Sequence, residues 1–146
     1  MATTDDRIGD DEVLLRRIPP STEEVQTVTE RVDSTLRATT WAMLTRRDET
    51  ELSCSLLRIT PPRKLLSELT HQGIDLTGWH VCRFLAFDVR AAGLEVEQTP
   101  TDRDPGHCSI FDINGESAGY PKKKARKLAR RTHILTDEEI DILSQQ

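Results

Sequence analysis

The chain has 146 residues and a net charge of −5, a length that one compact domain accounts for. Its apolar fraction is 36% and its charged fraction 31%, which predicts one modest core with polar ends. No apolar run approaches the ~20 residues of a membrane span, and the acidic start MATTDDRIGDDE lacks the apolar stretch of a secretory signal, so a cytoplasmic protein without a membrane partner is expected.

Residues 1–12 are small and acidic without periodicity, and are expected to form a disordered lead to one α+β domain over 13–146. Leu14, Leu15 and Ile18 open the core, and Pro19-Pro20 closes that segment. Ser21-Thr22-Glu23-Glu24 has the form of a capping box. Val25, Val28, Val32 and Leu36 follow at helical spacing, which predicts a helix over roughly 22–34. Arg37 to Thr45, rich in Thr, Trp and apolar residues, predicts a strand. In Glu51 to Ile59, Leu52, Cys54 and Leu56 alternate with Ser53 and Ser55, which predicts a second strand antiparallel to the first. Thr60-Pro61-Pro62 is a helix entry, a hydroxyl cap followed by residues with no amide to satisfy. Leu65, Leu66 and Leu69 supply that helix with an apolar stripe ending before Gly73.

From Trp79 to Ile113 the signals are densest. Val81, Phe84, Leu85, Val89 and Ala92 share one face at helical spacing, which predicts an amphipathic helix with Gly93 as its left-handed C-cap. Leu94 to Thr99 predicts a strand, and 100–106 (PTDRDPG) a loop dense in turn residues. His107 to Ile113 predicts another strand, with Cys108 and Ile110 facing away from His107 and Ser109. Asn114-Gly115 is a tight turn, and Pro121 opens a helix over 121–131. Thr132 to Leu135 is a short strand or extended link, and Thr136-Asp137-Glu138-Glu139 repeats the capping-box form before Ile140 and Leu143. The expected fold is α+β, a mostly antiparallel sheet of about four to five strands packed against two to four helices.

Charge is unevenly distributed. Lys122, Lys123, Lys124, Arg126, Lys127, Arg130 and Arg131 place seven cations in ten residues, leaving 13 basic against 25 acidic elsewhere, a balance of −12. Ala125, Leu128 and Ala129 form the narrow apolar side of that helix, so its cations should stand in water. Such a face attracts phosphate backbones by counterion release. Nucleic-acid binders, however, add an overall basic domain and stacking aromatics, and aromatics are 4% of this chain. The competing readings are a dock for an acidic protein, this chain's own residues 5–12 included, and a face that simply keeps the protein in solution.

His107 and Cys108 follow a turn and open a strand, where a side chain is aimed from a rigid element. Adjacent strand residues point to opposite faces, so a Cys–His pair would need His107 with Cys54 or Cys82, or Cys108 with His71 or His80. Against this stands a buried Cys108, with His107 bonded to the Asp102–Asp104 loop. His80, Cys82, His107 and Cys108 lack the spacing of known zinc motifs, so no metal is expected. Asp102, Asp104 and Asp112 are read as capping their own turns rather than holding a cation. The sequence contains no glycine-rich phosphate loop, GxSxG, HExxH or CxxC, and no cofactor is expected. Three cysteines at irregular spacing suit a reducing compartment better than a disulfide framework.

An Asp-x-(x)-Leu-Leu-Arg-Arg-Ile-Pro opening, Glu51-Leu52-Ser53, and an Arg-x-x-Gly-Leu helix end (Arg90 to Leu94) occur in that order. They are followed by Val96 to Pro100, Asp104-Pro105-Gly106-His107-Cys108, and the Lys122 to Ala129 helix. Over about residues 11–135 this order resembles an uncharacterised family of small bacterial single-domain proteins with no established activity. The resemblance implies a one-domain accessory protein encoded beside other genes. The expected function is therefore a cytoplasmic bacterial binding protein, of a conflict or defence gene cluster, acting through a protein encoded nearby. Its docking face would be the basic helix, with Asp102, Asp104 and Cys108 as a loop contact. The alternatives are an enzyme of such a system using His107, near neutrality the natural acid–base side chain, and a nucleic-acid-binding accessory protein using helix 121–131.

Overall fold

A computed structural model of the chain describes residues 7–20, 29–32, 35–44, 51–112 and 121–145. The first elements are β1 (Val13–Ile18), β2 (Thr29–Val32), β3 (Thr35–Ala38), a 3-10 turn (Trp41–Met43) and β4 (Glu51–Leu56). Next come α1 (Pro62–His71), β5 (His80–Leu85), α2 (Ala86–Ala91), β6 (Glu95–Gln98) and β7 (His107–Phe111). α3 (Lys122–Ala129), β8 (His133–Ile134) and α4 (Asp137–Ser144) complete the chain. Six strands form one antiparallel sheet in the order β6-β7-β4-β1-β5-β8, and β2 pairs with β3 as a separate ribbon. The class is α+β, as composition and patterning predict.

Alternation along the strands decides which layer each side chain joins. Leu14, Ile18, Cys54, Leu56, Cys82, Phe84, Cys108 and Ile110 point to one face, where α2 and α3 close the larger core with Ala86, Val89, Ala125 and Leu128. Leu15 and Val81 point to the other face and meet Leu65 of α1 and Ile140 of α4 in a smaller cluster with Leu135. These two helices cover the β1–β5–β8 half only. Over β4, β7 and β6 the second face keeps Ser53 exposed and His107 half-exposed, while Ser55 and Ser109 on it are buried. Arg16 fastens the first face, donating to the carbonyls of Ala42 (3.2 Å) and Ser53 (2.9 Å).

The helix expected across 79–92 is a strand followed by one short helix. His80–Leu85 pairs with β1 along its whole length, from Val13 opposite Leu85 to Ile18 opposite His80. A strand with cores on both faces carries apolar residues at odd and even positions alike, and here they fall by coincidence at helical spacing. Only 86–91 is helical. Its end is as expected: Gly93 has φ +88°, and the amides of Gly93 and Leu94 close on the Arg90 and Val89 carbonyls. This strand is why the sheet has six members.

Elsewhere two local expectations give way. Thr29–Val32 lies within the segment predicted helical over 22–34, yet it is a β-ribbon strand opposite Thr35–Ala38; residues 21–28, with the proposed capping box, lie outside the described residues. Strand β3 is shorter than Arg37 to Thr45 and pairs with β2, while β4 pairs with β1 and β7. The Asn114-Gly115 turn also lies outside the described residues. In the acidic lead, Ile8 is 2% exposed in the core, and Arg90 binds the Ile8 carbonyl (2.7 Å) and the Asp10 carboxylate (2.5 Å).

Candidate functional site

On the open half of the second face, β4 and β7 stand in register with Ser55 opposite His107 and Ser53 opposite Ser109. The His107 ring lies among hydroxyls and a carbonyl rather than beside a thiol or carboxylate. Its Nδ1 is 3.0 Å from the Thr99 carbonyl oxygen and 2.9 Å from Thr99 Oγ1, and its Nε2 is 3.1 Å from Ser53 Oγ. Thr99 Oγ1 also lies 2.8 Å from Ser109 Oγ. The Thr99 carbonyl oxygen can only accept, so the tautomer with its proton on Nδ1 satisfies that contact and presents a lone pair at Nε2, to which the Ser53 hydroxyl then donates. The Thr99 hydroxyl, equally near Nδ1, can serve either tautomer.

The adjoining loop is built around Asp104. Its carboxylate accepts from Ser55 Oγ and Thr60 Oγ1, each at 2.5 Å, and from the Gly106 amide at 3.1 Å. Thr60 was expected to cap α1, but its hydroxyl is committed to Asp104; Pro61 takes the N-cap position without a side-chain bond. Gly106 is required by this packing, since a Cβ there would sit 2.5 Å from Thr60 Oγ1. Burial lowers the Arg17 guanidinium below its ordinary value, against the attraction of Asp104 and Glu68. Asp104 thus holds the loop from inside, while Asp102 is exposed at its tip. His107 bonds this loop through its backbone, its amide donating to the Asp104 carbonyl at 3.0 Å, whereas its ring meets Thr99 and Ser53 rather than the loop carboxylates.

Cys108 is a core residue rather than a surface contact. It is fully buried on the first face, its S–H donates to the Gly106 carbonyl at 3.4 Å, and Cys54 stands opposite. Cys54 and Cys82 share that core, so all three thiols lie across the sheet from His107 and no Cys–His pair forms. Asp112 follows the far end of β7 from Asp104 and pairs with Lys124 at 2.7 Å, so Asp102, Asp104 and Asp112 do not converge. Among the described residues no group of three or more His, Cys, Asp or Glu could hold a metal ion.

The basic helix packs on the first face through Ala125, Leu128 and Ala129. Two of its cations are tied down: Lys124 to Asp112 and the Gly93 carbonyl, and Arg131 to Asp88 (3.2 Å). Lys122, Lys123, Arg126, Lys127 and Arg130 are exposed, and among the described residues they make no ion pair. Phe87 of α2 is 48% exposed, with the guanidinium of the anchored Arg131 5.9 Å from its ring centre. Of the acidic lead, Asp10 and Glu12 are bonded elsewhere, to Arg90 and to Arg58 (2.6 Å), and residues 1–6 lie outside the described residues. The loop 100–106 and α3 lie at opposite ends of the β6–β7 hairpin and do not form one surface.

Sequence reasoning singled out His107 but missed Ser53 and Thr99 as its partners. The alternations of Glu51–Leu56 and His107–Phe111 place Ser53 and His107 away from the cysteines. What was lacking was the adjacency of β4 and β7. No family model, curated protein or solved structure matches this chain. The class is therefore given by the fold itself: a small α+β domain with a two-sided antiparallel sheet, a basic helix on one face and a hydroxyl–imidazole cluster on the other. The resemblance to small bacterial single-domain proteins rests on the quoted residues alone.

Proposed function

We propose that this protein is a binding module that docks an acidic segment of a partner protein through α3. The observation that carries the reading is the division of labour along the helix. Lys124 and Arg131 anchor it, whereas Lys122, Lys123, Arg126, Lys127 and Arg130 project into water. The five exposed cations offer charge steering, and the exposed Phe87 ring next to Arg131 offers a small apolar contact. Outside this helix the chain is acidic, which opposes the long-range approach of a nucleic acid and leaves a short acidic peptide segment favoured. The setting that suits such a module is a bacterial cytoplasm, with the partner encoded nearby.

The test is titration of a fluorescent Asp/Glu-rich peptide carrying one aromatic residue, alongside a 20-base-pair duplex, against wild type and a K122E/K123E/R126E/K127E variant. The reading expects peptide binding that the variant weakens by about tenfold or more, four exposed pairs at roughly 0.2–1 kcal/mol each. Equal peptide binding by the variant would remove the docking role. Preferential duplex binding with a steep salt slope would replace the protein partner with a nucleic acid.

A further inference from the structure

We propose that Ser53 is a nucleophile activated by His107, and that the site it forms on the open sheet face takes carboxylic esters with good leaving groups. Three relationships assemble it. The Thr99 carbonyl, 3.0 Å from Nδ1, can only accept and so favours the tautomer with a free lone pair at Nε2, while the Thr99 hydroxyl at 2.9 Å accommodates it. That lone pair meets Ser53 Oγ at 3.1 Å, within the reach a general base needs. Ser53 is exposed on β4 opposite Ser109 of β7, and on the side where the β1 ladder stops at Ser55 its carbonyl is held instead by Arg16 at 2.9 Å, so the hydroxyl is aimed from a fastened strand. The arrangement is nucleophile, base and orienter, with a main-chain carbonyl as the orienter.

The chemistry balances with water as the second reactant. Ser53 Oγ attacks the ester carbonyl carbon as its proton passes to His107 Nε2. The C–O bond to the alcohol then breaks, and the alcohol leaves with the Nε2 proton. Water attacks the acyl-serine, giving a proton to Nε2 that returns to Ser53 Oγ as the carboxylic acid departs. Nδ1 keeps its proton on Thr99 throughout. A neutral carbonyl stabilises the transient imidazolium less than a carboxylate does, so turnover is slow and the first acylation is the step to observe.

The experiment treats the full-length protein with a fluorophosphonate probe and with p-nitrophenyl acetate, following intact mass, the modified peptide and p-nitrophenolate release. The expected result is one adduct, on Ser53, absent in Ser53→Ala and formed about a hundredfold more slowly in His107→Asn, the scale of general-base assistance. Circular dichroism melts show whether the variants fold. Should His107→Asn unfold, His107→Gln takes its place in the same rate comparison. No adduct on Ser53, or an equal rate in a folded His107→Asn or His107→Gln, overturns the proposal. The site lies across the sheet from α3, so the α3 charge reversal leaves acylation unchanged, and either reading can fail without the other.

Discussion

Cys54 and Cys108 stand directly opposite each other across the β4–β7 ladder, in a core that leaves them 3% and 0% exposed. Cys82 is also fully buried, on the same face. Thiolate is the reactive form: burial pushes the Cys82 thiol up to about 12 and raises Cys54, and although the hydrogen bond with Cys54 lowers Cys108, its complete burial keeps reagent from it. Native protein at pH 8 should therefore show no fast reaction with Ellman's reagent, and all three thiols should react in guanidinium chloride. Rapid native labelling of any one of them would contradict this core.

The same burial sets a pH dependence. A thiol whose folded value lies above its unfolded one, about 8.5, contributes stability that is complete below 8.5 and lost as pH rises towards 12. Urea midpoints should accordingly fall above roughly pH 8.5, and Cys82→Ala should lose part of that alkaline slope. An identical slope in the variant would show that Cys82 is not responsible.

Asp104 is expected to matter for stability rather than for contact with a partner. Asp104→Ala leaves the Ser55 and Thr60 hydroxyls and the Gly106 amide without their acceptor, at a cost of about 1–3 kcal/mol. Gly106→Ala forces a methyl against Thr60 and Ile59 and should cost a comparable ~1–3 kcal/mol. Asp102→Ala, at the exposed tip, should change stability by no more than about 0.5 kcal/mol. Equal stabilities across the three variants in urea titrations would refute this assignment.

The basic helix separates in the same way. Lys124→Met strips the charge from an ion pair whose Asp112 side chain is only 7% exposed, and should destabilise by about 1–3 kcal/mol. Lys122→Met and Lys127→Met, on the exposed side, should leave thermal stability within about 0.5 kcal/mol of wild type. A Lys124→Met protein as stable as these two would show that Lys124 does not anchor the helix.

What could be read from the sequence follows from how local each cause is. The Gly93 stop, the α3 anchor Ala125–Leu128–Ala129 and the facing of Cys108 away from His107 are set within a few residues, and the structure has each of them. His80–Leu85 defeated the reading because a strand buried on both sides has no alternation to display. Thr60 was misassigned because the acceptor that competes for its hydroxyl lies 44 residues away. Ser53 escaped for the related reason that its partner is 54 residues on, in a strand whose neighbour only the assembled sheet defines.

Helix α4 gives a final test in which cap and charge can be separated. Thr136 Oγ1 accepts from the Glu139 amide at 3.1 Å, and Glu139 Oε1 accepts from the Thr136 amide at 2.9 Å, the reciprocal box expected from the sequence. The Thr136 amide, with a further contribution from His133 at 3.0 Å, holds the Glu139 carboxyl below its usual range. A depressed carboxyl contributes stability that is present above its unfolded value, about 4.3, and lost as pH falls through the folded one. Glu139→Gln should thus be less stable than wild type at pH 7, with the gap closing as pH falls below about 4.3. Thr136→Ala removes the neutral half of the box, so its cost of about 0.5–2 kcal/mol should be larger at pH 7 than in Glu139→Gln, where the reciprocal bond is already weakened. Urea titrations of the two single variants and the double variant at pH 7 and pH 3 read both effects. A pH-independent Glu139→Gln gap would mean that the cap geometry matters and the carboxylate charge does not.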